Sequence, residues 1–277
     1  MLRFRKLFPR SCSIIGMVHV GALPGTPRYG GCFEKIATDA VKEAQIYSDC
    51  CVDGILLENM HDVPYVRHKD LTPEVTSTMT KICTEVRNIV PRDIPCGIQI
   101  LAGCNKEAIA VAKAAGLQFI RVEGFVFSHV ADEGFIDAIA GPLLRYRRYI
   151  DADDVLVFAD VKKKHSSHAI TSDVSLSETA RAAEFFLADG VVVTGTATGE
   201  EVNAKDFAEV RVATRLPVLI GSGVTLDNVD SYYAADALIV GSHLKTNGRW
   251  ENALDPRRVR AFVGHLKSRR QQTTTRM

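Results

Sequence analysis

The segment DVKKKHSSH, residues 160–168, brings together groups that can hold an anion and transfer protons. One carboxylate is followed by three amines and two imidazoles. Histidine titrates near neutral pH, and burial can lower the pKa of a lysine toward that range. Side chains alternate along a strand, so Asp160 and Lys162 are predicted to share one face. Lys163 and Lys164 are predicted to belong to a solvated basic loop.

Arg121 and Glu123 repeat this two-residue spacing in the segment FIRVEG. Their charges would be costly against apolar helices, so they are predicted to point into a common site. Glu123 and Asp160 are the candidate catalytic acid and base, and Lys162 is the candidate that stabilises developing negative charge. The alternative is a buried ion network between neighbouring strands.

Two glycine-serine turns occur late in the chain, at Gly221, Ser222 and Gly223 and again at Gly241 and Ser242. Backbone N–H groups are exposed in such turns, and the loops after the last two strands of an eight-stranded barrel often bind phosphate. These residues are therefore predicted to bind a phosphate group. Tight turns that pack a helix on a strand also need glycine, and that is the alternative.

Eight short apolar runs, each followed by a longer segment with helical spacing, must position these groups. Continuous apolar runs are typical of parallel strands that are buried on both faces. The predicted strands are Ile14–Val20, Gly54–Asn59, Gly97–Leu101, Phe119–Gly124, Val155–Val161, Val191–Gly195, Val218–Gly221 and Ala237–Gly241. The predicted helices are Phe33–Cys51, Pro73–Val90, Lys106–Ala115, Phe135–Tyr149, Glu178–Ala188, Ala204–Thr214, Leu226–Tyr233 and Pro256–Lys267.

This alternation predicts an α/β protein with a single (β/α)8 TIM barrel over residues 14–268, which suits a chain of 277 residues. An open doubly wound sheet would normally carry GxGxxG after its first strand, and this chain does not. Residues 1–13 are basic and resemble a mitochondrial presequence, or else form a basic arm that caps the barrel floor. We expect a mitochondrial location, with the cytoplasm as the alternative. Residues 269–277 are predicted to form a flexible tail.

In such a barrel the site lies at the C-terminal ends of the strands, and every predicted strand ends near a polar residue. Isolated carboxylates there serve equally well as acid, base or hydroxyl ligands, so a divalent metal is an option but no cofactor is firmly implied. The candidate metal ligands are His19, Glu58, Glu123 and Asp160. The candidates for substrate binding are His19, Glu58, Asn59, Gln99, Arg121, His165 and Thr194.

The composition narrows the range of partners. The net charge is only +1, so no basic field points to nucleic acid. No apolar run approaches the roughly 20 residues that span a bilayer, so no membrane span is expected. Seven cysteines without CxxC spacing indicate reduced thiols rather than a disulfide framework or a zinc site. Barrels often associate through helix faces, so a homo-oligomer is expected.

Five stretches together resemble the BtpA family of barrel proteins, and the resemblance covers roughly residues 14–265. The stretches are GMVHVGALPGTP at 16–27, DGILLENMHDVPY at 53–65, FIRVEGFVFSHVADEG at 119–134, DVKKKHSSHAIT at 160–171 and GSGVT at 221–225. The resemblance implies the barrel fold and a site at its mouth. The family's name comes from photosystem I biogenesis, and some relatives are labelled nucleosidases or sugar-metabolism proteins.

Taken together, these features predict an enzyme, either a hydrolase or an isomerase, that acts on a small phosphorylated sugar or nucleoside-like metabolite. The alternative is a non-catalytic assembly factor for a protein complex, which the family's name suggests. An assembly factor should expose an apolar surface for its partner.

Overall fold

The computed structural model describes residues 1–195 and 197–274. Eight parallel strands close into a barrel in chain order, and the last strand pairs with the first, Leu238 lying opposite Ile14. This confirms the predicted (β/α)8 barrel. The strands are β1 (Ser13–His19), β2 (Gly54–Glu58), β3 (Cys96–Gln99), β4 (Phe119–Val122), β5 (Leu156–Val161), β6 (Gly190–Val193), β7 (Val218–Ile220) and β8 (Ala237–Val240).

Helices cover the outside of the barrel, and their buried faces pack on the outward side chains of the strands. None of the helices in the described parts of the chain is long and apolar enough to cross a membrane. The α-helices are α1 (Leu2–Leu7), α2 (Phe33–Asp49), α3 (Pro73–Ile89), α4 (Asn105–Ala115), α5 (Ala140–Tyr149), α6 (Leu176–Phe185), α7 (Ala204–Ala213) and α8 (Pro256–Thr274).

The helix predicted at Phe135–Tyr149 is shorter than expected. Its first residues form the strand Gly134–Ile136, which pairs antiparallel with His129–Ala131. Ser166–Ser167 adds a third strand to this small sheet, which lies outside the barrel. Pairing of the backbone in this excursion delays the start of α5 to Ala140.

The helix predicted after β7, at Leu226–Tyr233, is reduced to a 3₁₀ turn at Val229–Tyr232. The side chain of Asn228 accepts a hydrogen bond from the N–H of Thr225 and donates one to the carbonyl of Gly223. These local bonds offer the backbone an alternative to a helix. The loop after β7 therefore stays close to the barrel mouth.

The N-terminal segment closes the barrel floor. Phe4 and Phe8 are buried inside the lower barrel, where Phe8 meets Phe119 and Phe4 meets Phe158 with ring centroids 5.6 and 5.7 Å apart. Arginines of this segment form ion pairs with carboxylates around the floor. The contacts make this segment part of the core, and its cleavage as a presequence stays an untested prediction.

The C-terminal end is more ordered than the predicted flexible tail, because α8 continues to Thr274. Arg270 in this extension donates hydrogen bonds of 2.7 Å to the carbonyl of Cys12 and to the carboxylate of Asp53. These bonds tie the last turns of α8 to the barrel floor. The rest of the predicted tail, residues 275–277, lies outside the described residues.

Candidate active site

The barrel mouth, at the carboxyl ends of the strands, contains two adjoining cavities of about 290 and 260 Å³. We call the first the glycine lobe, because the turns after β7 and β8 line it. We call the second the charged lobe, because ionisable residues of β2, β4 and the loops after β2, β4 and β5 line it. The side chains that line both lobes are Glu58, Met60, Arg121, Lys164 and Thr198. The two lobes are therefore halves of one site.

All five predicted phosphate-binding residues line the glycine lobe: Gly221, Ser222, Gly223, Gly241 and Ser242. Gly223 has a positive φ of 67°, and a Cβ there would lie 2.1 Å from the carbonyl oxygen of Glu200. Close approach of the loop after β6 thus requires glycine at this position. The structure brings the two predicted turns together, and phosphate binding itself stays a prediction.

The hydroxyl of Ser222 is already occupied. It accepts a hydrogen bond of 2.8 Å from the N–H of Gly195 and donates one of 3.1 Å to the carbonyl of Glu200. Ser222 therefore holds the loop after β6 against the turn after β7. Ser222 thus shapes the glycine lobe by positioning that loop, and its hydroxyl is not free to bind a ligand.

Arg258 supplies the glycine lobe with a cation that sequence reasoning missed. It lies in the first turn of α8, and its Nε donates a hydrogen bond to the carbonyl of His243. This bond directs the guanidinium toward the turn after β8. Within the sequence Arg258 is one of several arginines on a helix, so no local pattern distinguishes it.

Arg121 and Asp160 form the bidentate ion pair of neighbouring strands that the alternative interpretation describes, with N–O distances of 2.8 and 3.0 Å. Burial alone would lower the pKa of Arg121, but the carboxylate of Asp160 raises it. Both oxygens of Asp160 bind Arg121, and Asp160 lines neither lobe. The structure thus places this predicted catalytic residue behind the site, where it fixes Arg121.

Glu123 lines the charged lobe, and its two oxygens already have partners. One lies 3.4 Å from the Nζ of Lys163, and the other accepts a hydrogen bond of 3.1 Å from the N–H of Gly103. Burial would lower the pKa of Lys163, but Glu123 raises it. The prediction that Lys163 is solvated is wrong, since only 7% of it is exposed.

The structure places Lys162 and Lys164 opposite to their predicted positions. β5 ends at Val161, and Lys162 adopts a left-handed φ of 47°, which breaks the alternation that predicted its direction. Its Nζ donates a hydrogen bond of 3.4 Å to the carbonyl of Thr171, outside both lobes. Lys164, predicted to be solvated, lines both lobes instead.

Glu58 and Lys164 face the mouth with perturbed pKa values. Burial raises the pKa of Glu58, and the charges of Arg121 and Lys164 oppose this shift. Burial lowers the pKa of Lys164, and the nearby charge of Arg121 lowers it further. Opposite shifts of this kind increase the fraction of neutral acid and neutral amine, the forms needed for proton transfer and nucleophilic attack.

Two predicted histidines border the site as neutral bases. His19 lines the glycine lobe, and its Nδ1 donates a hydrogen bond of 3.2 Å to the carbonyl of Trp250, which leaves Nε2 as an acceptor. Burial lowers the pKa of His19 well below its ordinary value, and Lys245 adds to this effect. His165 lines the charged lobe, and its Nε2 accepts a hydrogen bond of 3.0 Å from the N–H of Thr198.

Gln99 lines the charged lobe, where its Oε1 is buried without a hydrogen-bond partner among the described residues. A buried amide oxygen of this kind is available to a ligand. In contrast, Thr194 lines neither lobe, and its hydroxyl accepts the N–H of Lys164 at 3.1 Å. Thr194 therefore supports the loop that carries Lys164.

Asn59, another predicted ligand, acts within the scaffold. Its amide donates a hydrogen bond of 2.9 Å to Asp62, and its carbonyl oxygen accepts one of 2.9 Å from the N–H of Leu101. These bonds join the loops after β2 and β3. The sequence predicted Asn59 to be a ligand because it follows β2, but Asp62 and Leu101 occupy its amide in the fold.

The four candidate metal ligands do not form a metal site within the described residues. Those parts of the chain contain no group of three or more histidine, cysteine, aspartate or glutamate side chains placed to hold an ion. The carboxylates of Glu123 and Asp160 bind Lys163 and Arg121 instead.

The fold and site define the class: this is a (β/α)8 barrel protein with a polar site at the carboxyl ends of its strands. The chain matches the model of the BtpA family over residues 10–268 and belongs to that family. An uncharacterised mitochondrial protein of Caenorhabditis elegans is 46% identical over 258 residues, 92% of this chain and 93% of its own length. The photosystem I biogenesis protein BtpA of Synechocystis is 37% identical over 252 residues, 90% of this chain and 86% of its own length.

Solved structures of the same fold include two enzymes at low identity. Phosphoribosyl anthranilate isomerase of Thermus thermophilus has a TM-score of 0.57 at 12% identity, covering 92% of this chain and 98% of the isomerase. Orotidine 5′-monophosphate decarboxylase of Methanocaldococcus jannaschii has a TM-score of 0.57 at 13% identity, with the same coverage. At these identities the likeness shows the fold alone.

Proposed function

We propose that this protein is an enzyme acting on a small phosphorylated sugar or nucleoside-like metabolite at the barrel mouth. The observation that carries the proposal is the junction of the two lobes. The glycine lobe combines close-packed glycine turns with Arg258, and the charged lobe adjoins it through Glu58 and Lys164. One molecule can therefore place its phosphate among the turns and its reacting carbon beside an acid and an amine.

In this proposal Arg258 and the turns after β7 and β8 bind the phosphate, as loops at this position of the fold often do. Glu58 donates and accepts protons, with Lys164 beside it. Gln99, His19 and His165 orient hydroxyl groups. Glu123 and Asp160 act through the cations that they hold, Asp160 by keeping Arg121 in place. Hydrolysis and isomerisation both agree with this set of groups.

The names of the two structural neighbours refer to phosphorylated ligands, which supports the proposed substrate class by analogy of fold. The test is thermal stabilisation of the full chain by a panel of sugar phosphates, nucleotides and inorganic phosphate. A ligand at 100 times its dissociation constant adds about 2.7 kcal/mol to the free energy of unfolding. The unphosphorylated sugars and nucleosides serve as controls.

Two adjacent arginines provide a matched pair for this test. Arg258→Met removes the cation that lies at the turn after β8, and we expect the affinity for the phosphorylated ligand to fall by about tenfold or more. Arg257 is 87% exposed in its side chain and pairs with Asp255, so Arg257→Met should bind like the unmodified chain. Equal binding by both variants would contradict the proposed phosphate position.

An exposed apolar surface favours the second candidate function, a non-catalytic assembly factor. Phe185, Phe186 and Leu187 follow one another at the end of α6 and are 78%, 47% and 69% exposed, and they border a groove against α5. Contiguous exposed apolar residues mark interaction sites. The family member in Synechocystis is named a photosystem I biogenesis protein, which supports the same candidate.

The expected homo-oligomer offers a first test of this surface. We propose that a second copy of the chain covers Phe185 and Leu187, and that Phe185→Ser with Leu187→Ser shifts the sedimentation coefficient to that of a monomer. Tyr149 is 84% exposed on α5, and Tyr149→Ser serves as the control. A monomeric unmodified chain would contradict the homo-oligomer and leave this surface to a different protein.

The location proposed for the protein is the mitochondrion, with the cytoplasm as the alternative, since a relative from Caenorhabditis elegans is named mitochondrial. Because Phe4 and Phe8 fill the barrel floor, we propose that residues 2–8 are retained after import. Fractionation of cells that express a C-terminally tagged chain tests the location. The N-terminal peptide mass of the recovered protein tests retention, and a start at residue 14 would contradict it.

A further inference from the structure

Lys164 differs from the two preceding lysines because its amine has no hydrogen-bond or ion-pair partner among the described residues. Lys162 donates to a backbone carbonyl, and Lys163 faces Glu123. Within residues 1–195 and 197–274, the hydrogen bonds of Lys164 involve only its backbone, which donates to Thr194 and accepts from Ser166. Its side chain lines both lobes of the mouth. The amine is therefore held at the site by the loop and is free to react there.

The surroundings of this amine disfavour its charged form. Arg121, which lines the same two lobes, is a fixed cation because it donates two hydrogen bonds to the carboxylate of Asp160. Burial lowers the pKa of Lys164, and Arg121 lowers it further, while Glu58 opposes the shift. A lysine desolvated beside another cation is the arrangement that activates an amine as a nucleophile.

We propose that Lys164 is a catalytic amine that forms a Schiff base with the aldehyde or ketone group of a phosphorylated substrate. The inference rests on the proposed function and narrows its substrate class to carbonyl compounds. Gly221, Gly223 and Gly241 line the same cavity of about 290 Å³ as Lys164, so a short sugar phosphate held by these turns would share that cavity with the amine.

Lys164 and Glu58 supply the amine and the acid that formation of a Schiff base requires. The neutral Nζ of Lys164 attacks the carbonyl carbon and a C–N bond forms as the C=O π bond breaks. The oxygen takes a proton from the attacking nitrogen, which gives a neutral carbinolamine and leaves the proton of Glu58 in place. The carbinolamine then loses water, with Glu58 protonating the departing hydroxyl, and a protonated imine remains. Glu58 suits this role because it lines both lobes and burial raises its pKa, so that its carboxyl carries a proton more readily.

Reductive trapping on the full chain tests the proposal. The chain is incubated in turn with ribose 5-phosphate, dihydroxyacetone phosphate and pyridoxal 5′-phosphate, then treated with sodium borohydride, and the peptides are weighed by mass spectrometry. The expected result is one reduced adduct on Lys164 that requires borohydride and that inorganic phosphate suppresses. The trapping rate should pass through a maximum with pH, since the amine of Lys164 must be unprotonated and Glu58 must be protonated.

Three variants distinguish a reacting amine from a simple counter-ion. Lys164→Arg keeps the cation and should bind the phosphates without forming an adduct. Lys162→Arg, whose lysine lies outside both lobes, should be trapped on Lys164 like the unmodified chain. Glu58→Gln leaves Lys164 in place and should slow trapping by at least about tenfold, which keeps the test valid if Lys164→Arg fails to fold.

The outcomes separate this inference from the proposed function. Thermal stabilisation by sugar phosphates without any adduct would overturn the Schiff base and leave phosphate binding intact. Adducts spread over surface lysines and insensitive to inorganic phosphate would also overturn it. If none of the three carbonyl compounds stabilises the chain or forms an adduct, the result would count against both the Schiff base and the proposed function.

Discussion

Arg121 and Asp160 join β4 to β5 through two parallel hydrogen bonds, with at most 3% of either side chain exposed. Removing one charge would leave the other buried without a partner. We therefore expect Asp160→Asn to lower the free energy of unfolding by roughly 3–5 kcal/mol, measured by urea denaturation. Asp154→Asn, at an exposed position just before β5, should change it by less than about 0.5 kcal/mol. A thermal transition unchanged in Asp160→Asn would return Asp160 to the candidate catalytic acids.

Phe8 fills the barrel floor against Phe119 and Phe158. Truncating a buried aromatic side chain leaves a cavity, so Phe8→Ala should lower the free energy of unfolding by roughly 3–5 kcal/mol. Leu2 lies in the same N-terminal segment but is 84% exposed, and Leu2→Ala should have little effect. Equal stability of the two variants in urea would show that the barrel does not depend on this segment.

Gly223 lies where the loops after β6 and β7 touch, with a positive φ and no room for a Cβ beside Glu200. Gly223→Ala should displace the loop after β6 and weaken binding of sugar phosphates in a thermal-shift titration. Gly264 lies in α8, where an added Cβ would have no described atom outside its own helix within 4 Å. Gly264→Ala should therefore bind sugar phosphates normally and raise the free energy of unfolding by roughly 0.5–1 kcal/mol. Normal phosphate affinity in Gly223→Ala would argue against the glycine lobe as the phosphate site.

Glu58 should make stability depend on pH, because burial raises its pKa above the ordinary value of 4.5. Between that value and the raised pKa, the folded chain binds more protons than the unfolded chain, so the stability contributed by Glu58 falls as pH rises. We expect Glu58→Gln to be more stable than the unmodified chain at neutral pH, and the gain to vanish below about pH 4.5. Urea denaturation across pH measures this difference, and a gain that grows as pH falls would contradict the assigned shift.

The fold could be predicted because its signals are local. Strands buried on both faces need continuous apolar runs, and the run that predicted Phe119–Gly124 contains the observed β4. Helix lengths were less predictable. Asn228 replaces a helical turn with its own side-chain bonds, and the pairing of Gly134–Ile136 delays α5. Both depend on partners that hydrophobic periodicity cannot represent.

The sequence by itself determined the barrel and the turns after β7 and β8, because glycine spacing and apolar periodicity are properties of short segments. Only the tertiary structure decided which charges are free. Lys162, the first residue after β5, adopts a left-handed backbone conformation, and its side chain lies outside both lobes while that of Lys164 lines them. Arg121 on the neighbouring strand binds both oxygens of Asp160. Whether a polar side chain is a ligand or a support depends on its partners across the barrel, and those partners are set by the packing of distant segments.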